Sequence, residues 1–256
     1  MISTLTIVAM FLLCHLVQCA TAKGTLGFAL GDKKTDGSCK CTSDYVADFK
    51  AIQANSGSKL VRIYSASDCN CTAQILPAAA SAAFRVVLGV WPDTDAALEA
   101  DKTALATYVP GYVYAVTVGS ETMYRGNFTG PELLSKINSV RGVLPKGTKV
   151  GTADSWNKFA DGTADALIKG GVDLLLANGF AYWQAQPIAN ATLTYFEDMQ
   201  QALGRIQSVS GSLNGIEFWT GETGWPSDGG SDYGAGRAST RNAAPYWTDA
   251  ICGILT

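Results

Sequence analysis

The sequence contains a single histidine, His15, and it lies in an apolar N-terminal stretch. A chain that keeps no other histidine lacks the general base of serine and cysteine triads and the commonest transition-metal ligand. We therefore expect neither a metal nor another cofactor. Runs of like charge are also absent, and the formal net charge is −3. Electrostatics give no reason to expect nucleic acid or an anionic membrane as a partner.

Long apolar segments are equally scarce, because only residues 4–20 form one. The small residues of Ala20-Thr21-Ala22 follow it, which indicates a secretory signal over residues 1–22 and a mature domain over 23–256. A retained membrane anchor is the alternative, although about 17 residues is at the short limit for a span. We expect a secreted monomer with no membrane segment once the signal is removed.

Cysteine is present in a pattern typical of secreted proteins. Cys39 and Cys41 form one Cys-x-Cys motif, Cys69 and Cys71 form another, and Cys252 is left over. Disulfides are favoured over a zinc site in an oxidising compartment. A bridge inside one Cys-x-Cys has poor geometry, so we expect pairing between the two motifs. Three Asn-x-Ser/Thr glycosylation acceptors support the same compartment: Asn70, Asn127 and Asn190.

Strand-like apolar runs alternate with helical patterns along the rest of the chain. The runs are 24–30, 59–65, 85–91, 112–121, 149–156, 173–183 and 215–222. This alternation predicts a parallel sheet with helical crossovers, and the spacing favours a (β/α)8 TIM barrel with its site at the carboxyl ends of the strands. An open doubly wound sheet is the alternative, but no Gly-x-Gly-x-x-Gly follows the first run. Only seven units are present, so we expect the eighth strand to be missing and the partner of Cys252 with it.

Glutamate is scarce, and two of the six, Glu121 and Glu222, each end a strand-like run. A carboxylate at the end of a buried strand is costly unless it is paired or used. Two carboxylates from separate strands of one barrel suit glycoside hydrolysis, so we predict that both are catalytic. The alternatives are an ion pair of Glu121 with Arg62 or Arg125, and a turn-capping role for Glu222. A strand period of two would place Thr117 on the same face as Glu121, unless a bulge intervenes.

Aromatic residues concentrate at the same strand ends. Sugar sites need flat apolar faces that stack on pyranose rings, with polar groups between them. Core packing is the alternative for each ring. The predicted substrate-binding aromatics are Tyr64, Tyr124, Trp156, Phe180, Tyr182 and Trp225. Asp154 can bond a sugar hydroxyl or cap its own loop, and the sequence does not separate these roles.

The strings around the two glutamates resemble family 17 glycoside hydrolases, the β-1,3-glucanase family, and especially its fungal cell-wall branch. Val118-Gly-Ser-Glu121 is similar to the acid/base motif of that family. Gly221-Glu-Thr-Gly-Trp-Pro-Ser227 is similar to its nucleophile motif. The resemblance covers residues 24–256 and includes glucanases and glucanosyltransferases.

This resemblance implies a (β/α)8 barrel, β-1,3-glucan as substrate and a place in the cell wall. It also implies retention of configuration, with Glu121 as acid/base and Glu222 as nucleophile. Retention corresponds to carboxyl groups about 5–5.5 Å apart. Ser120 stands where the wider family has asparagine, and we expect it to contact the substrate.

Three classes of function follow from these observations. The favoured class is a glucan endo-1,3-β-glucosidase and/or 1,3-β-glucanosyltransferase, because both share one covalent intermediate. A non-catalytic glucan-binding wall protein and a structural wall antigen held by disulfides are the alternatives. Two intact glutamate motifs favour the enzyme, because binding alone does not need both.

Overall fold

The computed structural model describes residues 24–108, 110–229 and 231–255. The predicted signal segment, residues 1–22, lies outside them. The chain forms two compact units. The larger unit comprises Gly27–Gly179 and Glu197–Thr223, and the smaller one includes Phe180–Phe196 and Gly224–Thr256.

The larger unit contains one parallel sheet whose seven strands follow chain order. The strands are β1 (Phe28–Ala29), β2 (Leu60–Arg62), β3 (Arg85–Val90), β4 (Val113–Ser120), β5 (Lys149–Ser155), β6 (Leu174–Asn178) and β7 (Glu217–Glu222). Each strand pairs in parallel with the next. This order, with helices in the connections, confirms the predicted TIM-barrel class. The described residues supply seven of its eight strands, with β1 and β7 at the edges.

Helices fill the connections between the strands, and two more follow the last strand. They are α1 (Thr42–Ser56), α2 (Cys71–Ala82), α3 (Asp95–Leu105), α4 (Gly130–Arg141), α5 (Trp156–Ala160), α6 (Asp165–Lys169), α7 (Ile188–Ser210), α8 (Thr240–Tyr246) and α9 (Cys252–Leu255). Local sequence explains individual boundaries. At α4, for example, Thr129 and Glu132 form a capping box that satisfies the first free backbone N–H groups.

The core lies around the central strands. Every residue of β6 is buried, as are five of the six residues of β3. Parallel strands that are buried on both faces consist mostly of apolar residues, and this accounts for the apolar sequences of β3 and β6. By contrast, all six residues of β7 are only partly buried. No helix among the described residues has the length and apolar character to cross a bilayer.

The two Cys-x-Cys motifs are joined by one disulfide. Cys39 bridges Cys69 with their Cα atoms 5.3 Å apart. The prediction that Cys41 and Cys71 also form a bridge is wrong, because Cys41 is exposed at the start of α1 while Cys71 is buried. The Cys71 Sγ lies 3.0 Å from the Tyr45 hydroxyl, and burial raises the pKa of this thiol to about 11. The buried thiol of Cys71 therefore stays protonated. It does not bond to Cys41, its predicted partner.

Candidate active site

Glu222 is placed by a bulge at the carboxyl end of β7. The register with β6 changes from Ala177 opposite Thr220 to Asn178 opposite Glu222, so Gly221 is the extra residue. Glycine is required there, because a Cβ atom would lie 2.5 Å from the Asn178 Oδ1. The bulge brings Glu222, not its neighbour, level with the end of β6.

Glu121 is placed by a similar irregularity at the end of β4. The register with β5 slips by one residue between Thr117 and Ser120, with Gly119 at φ +85°. Glu121 itself has φ +55°, a left-handed conformation that is uncommon for a non-glycine residue and is enriched at functional sites. The predicted strand alternation up to Glu121 is therefore wrong, because the extra residue interrupts the period of two.

Two side chains from β2 and its following loop hold the Glu222 carboxylate. The Arg62 Nη1 and the Tyr64 hydroxyl donate to Oε1 at 3.1 Å and 2.8 Å. Burial raises the pKa of Tyr64, which keeps its hydroxyl protonated as a donor. Arg62 is buried, and its Nη2 also donates to the Ser120 Oγ at 3.1 Å. One guanidinium thus connects the nucleophile candidate on β7 with the residue that precedes Glu121.

Glu121 has a different environment. Its Oε1 accepts a hydrogen bond from the Asn178 Nδ2 at 3.1 Å, and it forms no ion pair among the described residues. The predicted alternative of a structural ion pair is wrong, because Arg62 pairs with Glu222 and Arg125 pairs with Asp93. Asn178 is buried, and its Oδ1 has no hydrogen-bond partner in the described part of the chain.

The turn that carries Glu121 is fixed by Asp154 at the end of β5. This fully buried carboxylate accepts hydrogen bonds from the backbone N–H groups of Met123 at 2.8 Å, Tyr124 at 3.1 Å and Ser155 at 2.8 Å. Burial raises the pKa of Asp154 to about 6, against the opposing effect of these hydrogen bonds. Its contacts are therefore those of a loop cap.

The predicted substrate residues fall into two groups. In the larger unit, Tyr64 and Ser120 lie with the two glutamates, while Tyr124 is 56% exposed on the turn and Trp156 begins α5. The other three lie in the smaller unit, where the buried rings of Tyr182 and Trp225 are 5.2 Å apart and Phe180 precedes them.

Sequence reasoning gave Asn178 no role, although its position at the end of a strand was a usable signal. Asn178 ends the buried strand β6, Glu222 ends β7 and Glu121 directly follows β4. In a parallel barrel such strand-end polar residues converge at one face. The sequence makes Arg62 a candidate partner of Glu121, whereas the structure pairs it with Glu222, because a sequence cannot show which of two carboxylates an arginine reaches.

A TIM-barrel sheet with one glutamate at the carboxyl end of β4 and another at that of β7 is the arrangement of a glycoside hydrolase. A family model described as the BtgE/BtgC glycoside hydrolase domain matches residues 27–254, and the chain belongs to this family. The resemblance to the fungal branch of family 17 is thereby confirmed.

Similar proteins support the assignment to this glycoside hydrolase family. A glucan 1,3-beta-glucosidase of Arthroderma benhamiae is 52% identical over 91% of this chain and 76% of its own length. One from Saccharomyces cerevisiae is 41% identical over 91% of this chain and 78% of its own. The structure of a family 17 beta-1,3-glucanosyltransferase from Rhizomucor miehei has a TM-score of 0.76 and 29% identity, covering 88% of this chain and 81% of that one. An active-site mutant of the Rhizomucor protein is in complex with laminaritriose.

Proposed function

We propose that this protein cleaves β-1,3-glucan by a retaining double displacement, as a glucan endo-1,3-β-glucosidase and/or a 1,3-β-glucanosyltransferase. The observation that carries the proposal is the pair of bulged strand ends that bear Glu121 and Glu222 with different polar partners. The names of the relatives support the substrate, and the laminaritriose complex of the Rhizomucor protein supports a β-1,3-linked ligand.

Glu222 is the proposed nucleophile. A nucleophilic carboxylate must be deprotonated and held still, and the donors from Arg62 and Tyr64 bind that form through one oxygen. With Oε1 occupied, Oε2 is the oxygen that attacks the anomeric carbon. The bond to the leaving oxygen breaks as the glycosyl ester with Glu222 forms.

Glu121 is the proposed acid/base. Its partner is the amide of Asn178 instead of a cation, and its proposed task is to deliver a proton to the leaving oxygen. In the second step it removes a proton from the incoming hydroxyl, which attacks the glycosyl ester and regenerates Glu222. Water as acceptor gives hydrolysis, and a glucan hydroxyl gives transfer.

The compartment and assembly state are part of the same proposal. A secreted protein of the cell wall or extracellular space, acting as a monomer, fits a polymeric wall substrate. The three predicted glycosylation acceptors, Asn70, Asn127 and Asn190, are all exposed. The disulfide between Cys39 and Cys69 fits an oxidising compartment.

Substitution of the two glutamates tests the proposal. Glu222→Gln is expected to abolish turnover of β-1,3-glucan and of activated aryl glycosides, because both need the nucleophile. Glu121→Gln is expected to abolish turnover of glucan but to retain part of the activity on aryl substrates, whose leaving groups need no proton. Glu99→Gln, on the exposed side of α3, is the matched control. Near-normal glucan turnover by Glu121→Gln would refute the acid/base assignment.

Stereochemistry gives an independent measurement. We expect proton NMR of the first product to show the β-anomer, because two displacements at one carbon restore its configuration. This result would agree with carboxyl groups about 5–5.5 Å apart. An α-anomer as first product would exclude the covalent intermediate.

A further inference from the structure

Asn178 connects the two bulged strand ends of the larger unit. Its backbone lies opposite Glu222 in the pairing of β6 with β7, and the next residue, Gly179, donates its N–H to the Glu222 carbonyl at 3.0 Å. The side chain of Asn178 reaches Glu121, where Nδ2 donates to Oε1 at 3.1 Å. One residue is therefore fixed by its backbone to one glutamate and bonded through its amide to the other.

The backbone of Glu121 is fixed separately from its side chain. Its N–H donates to the Ala153 carbonyl at 3.0 Å, and its own carbonyl accepts from the Arg125 N–H at 2.9 Å. These bonds fix the turn, but they leave the side-chain torsions of Glu121 free to choose among rotamers. Among the described residues, Asn178 supplies the one hydrogen bond to the Glu121 carboxyl. The direction in which this carboxyl points therefore depends on Asn178.

The Asn178 amide is itself held in one orientation. The residue is 1% exposed, and its Oδ1 lies against Gly221, where an added Cβ atom would be 2.5 Å away. This buried oxygen has no hydrogen-bond partner in the described part of the chain. Half a turn of the amide would place Oδ1 against the Glu121 carboxylate, and two acceptors repel each other. A buried acceptor without a partner is costly, and here the cost accompanies a donor that faces Glu121.

A neutral donor suits a carboxyl group that gives and takes a proton. An amide N–H can donate to Oε1 when Glu121 is ionised, and also when Glu121 carries its proton on Oε2. The contact can therefore persist through both steps of a double displacement. Glu222 differs, because its Oε1 faces the charge of Arg62.

We propose that Asn178 is the positioning residue of the acid/base, and that its hold on Oε1 of Glu121 makes Oε2 the oxygen that carries the proton. In the first step the proton moves from Oε2 to the leaving oxygen as the bond from that oxygen to the anomeric carbon breaks. In the second step the incoming hydroxyl bonds to the anomeric carbon, its proton moves to Oε2 and the ester with Glu222 breaks. The role rests on the function proposed above, because it requires Glu121 to transfer this proton.

A series of aryl β-1,3-linked disaccharides with leaving phenols of different acidity tests this role. Asn178→Leu keeps the branched shape of the side chain but removes the donor. It is expected to lower kcat/KM about tenfold to hundredfold for glucan and for weakly acidic phenols, and to leave the dinitrophenyl substrate within about twofold. A dinitrophenolate needs no proton, so a misdirected acid does not slow its departure. A purely structural role would lower kcat/KM for all substrates equally.

The second step gives another measurement on the dinitrophenyl substrate. Removal of a proton from water still requires a correctly placed base, so kcat of Asn178→Leu should fall about tenfold or more while kcat/KM is kept. KM should fall in parallel, because the glycosyl ester accumulates. An unaltered kcat on this substrate would contradict the role of Asn178 in the second step.

Asn138→Leu is the matched control, because Asn138 is an exposed asparagine on α4 whose side chain contacts Arg141. It should leave every substrate unchanged. If a melting scan shows that Asn178→Leu does not fold, Asn178→Ala removes the same donor without placing an apolar branch beside Gly221, and the same pattern is expected.

The outcomes distinguish this proposal from the function on which it rests. If Glu121→Gln loses activity on glucan selectively but a folded Asn178 variant does not, or if that variant loses all substrates equally, the positioning role alone is wrong. If Glu121→Gln shows no selective loss, the proposed function itself is wrong.

Discussion

At the scale of single residues, Arg62 links two parts of the site. Its guanidinium reaches the Glu222 Oε1 with one nitrogen and the Ser120 Oγ with another. A planar fork can serve two acceptors at once, whereas an ammonium on a flexible stem is a point charge. Ser120, for which a substrate contact is predicted, also accepts this hydrogen bond within the protein.

Arg62→Lys is expected to lower kcat on β-1,3-glucan by about tenfold to hundredfold, because the charge remains but the geometry of the two donors is lost. Steady-state kinetics measure this directly. Arg141→Lys, at the ion pair with Asp173 in a more exposed position, is the matched control and should keep kcat. A kcat for Arg62→Lys within twofold of the unaltered protein would contradict the bridging role.

Asp154 predicts a pH dependence of stability. Its pKa is raised from 3.8 to about 6 by burial, so the folded state binds a proton more tightly than the unfolded state does. The stabilisation is fully present below pH 3.8 and is lost as the pH rises through about 6. Its size is on the order of 2–3 kcal/mol, since one pKa unit corresponds to about 1.4 kcal/mol.

Urea unfolding at pH 4 and pH 7, with and without Asp154→Asn, measures this effect. The free energy of unfolding of the unaltered protein should fall relative to that of Asp154→Asn between the two pH values, because asparagine does not titrate. All other titratable groups are common to both proteins, so the difference between their unfolding free energies reports the titration of the Asp154 carboxyl alone. Parallel pH dependence in the two proteins would show that Asp154 does not titrate in this range.

At the scale of elements, the two bulges determine where the glutamates lie. Gly119→Ala tests the one on β4, because this position has φ +85° and a Cβ atom there would lie 2.9 Å from the Thr122 Oγ1. The left-handed conformation is expected to cost about 1–2 kcal/mol of unfolding free energy, with a fall in kcat as the Glu121 turn shifts.

The control for Gly119→Ala is Gly204→Ala. Gly204 lies inside α7, and nothing lies within 4 Å of an added Cβ atom. It should stabilise the protein by about 0.4–1 kcal/mol, because alanine favours the helix and restricts the unfolded chain. Chemical denaturation distinguishes the two, and stabilisation by both substitutions would rule out a strained bulge.

The disulfide acts at the same scale, because it ties the loop after β1 to the loop after β2. Cys39 and Cys69 are 30 residues apart, so removing the bridge with a Cys39→Ser, Cys69→Ser double substitution is expected to cost about 2–4 kcal/mol. Cys41→Ser at the neighbouring exposed thiol is the control and should have little effect. Equal melting temperatures for the bridged and unbridged proteins would mean that the link adds no stability.

At the scale of the whole molecule, the sheet is protected unevenly. The central strands have a neighbour on each side, but β1 and β7 have one each among the described residues. Hydrogen exchange should therefore be faster in 217–222 than in 174–178, because β7 is partly buried throughout while β6 is fully buried. Mass spectrometry of peptides covering these two strands provides the measurement, and equal protection would contradict it.

The sequence was sufficient to predict the order of the strands, the barrel class and the position of the two glutamates at the ends of strands. Strands that are buried on both faces are continuous apolar runs, as β3 and β6 show, and can be recognised from sequence. Glu121, directly after the buried strand β4, is recognisable for the same reason. Capping residues such as Thr129 with Glu132 likewise act over a few neighbouring positions, so that they can be read locally.

The partner of Arg62, the two bulges and the pairing of the cysteines were decided by the tertiary structure. These features depend on contacts between residues that are far apart in the chain. Arg62 selects Glu222, 160 positions away, and not Glu121. Each bulge is a shift in the register between two paired strands, so the sequence of one strand alone does not reveal it. Cys41 and Cys71 do not form a disulfide because Cys41 is exposed to solvent and Cys71 is buried. The two Cys-x-Cys motifs have the same spacing, so the sequence does not reveal this difference in burial. Asp101, buried on α3, accepts hydrogen bonds from Ser65 in the loop after β2 and from Trp91 after β3, and only the folded chain brings these residues together.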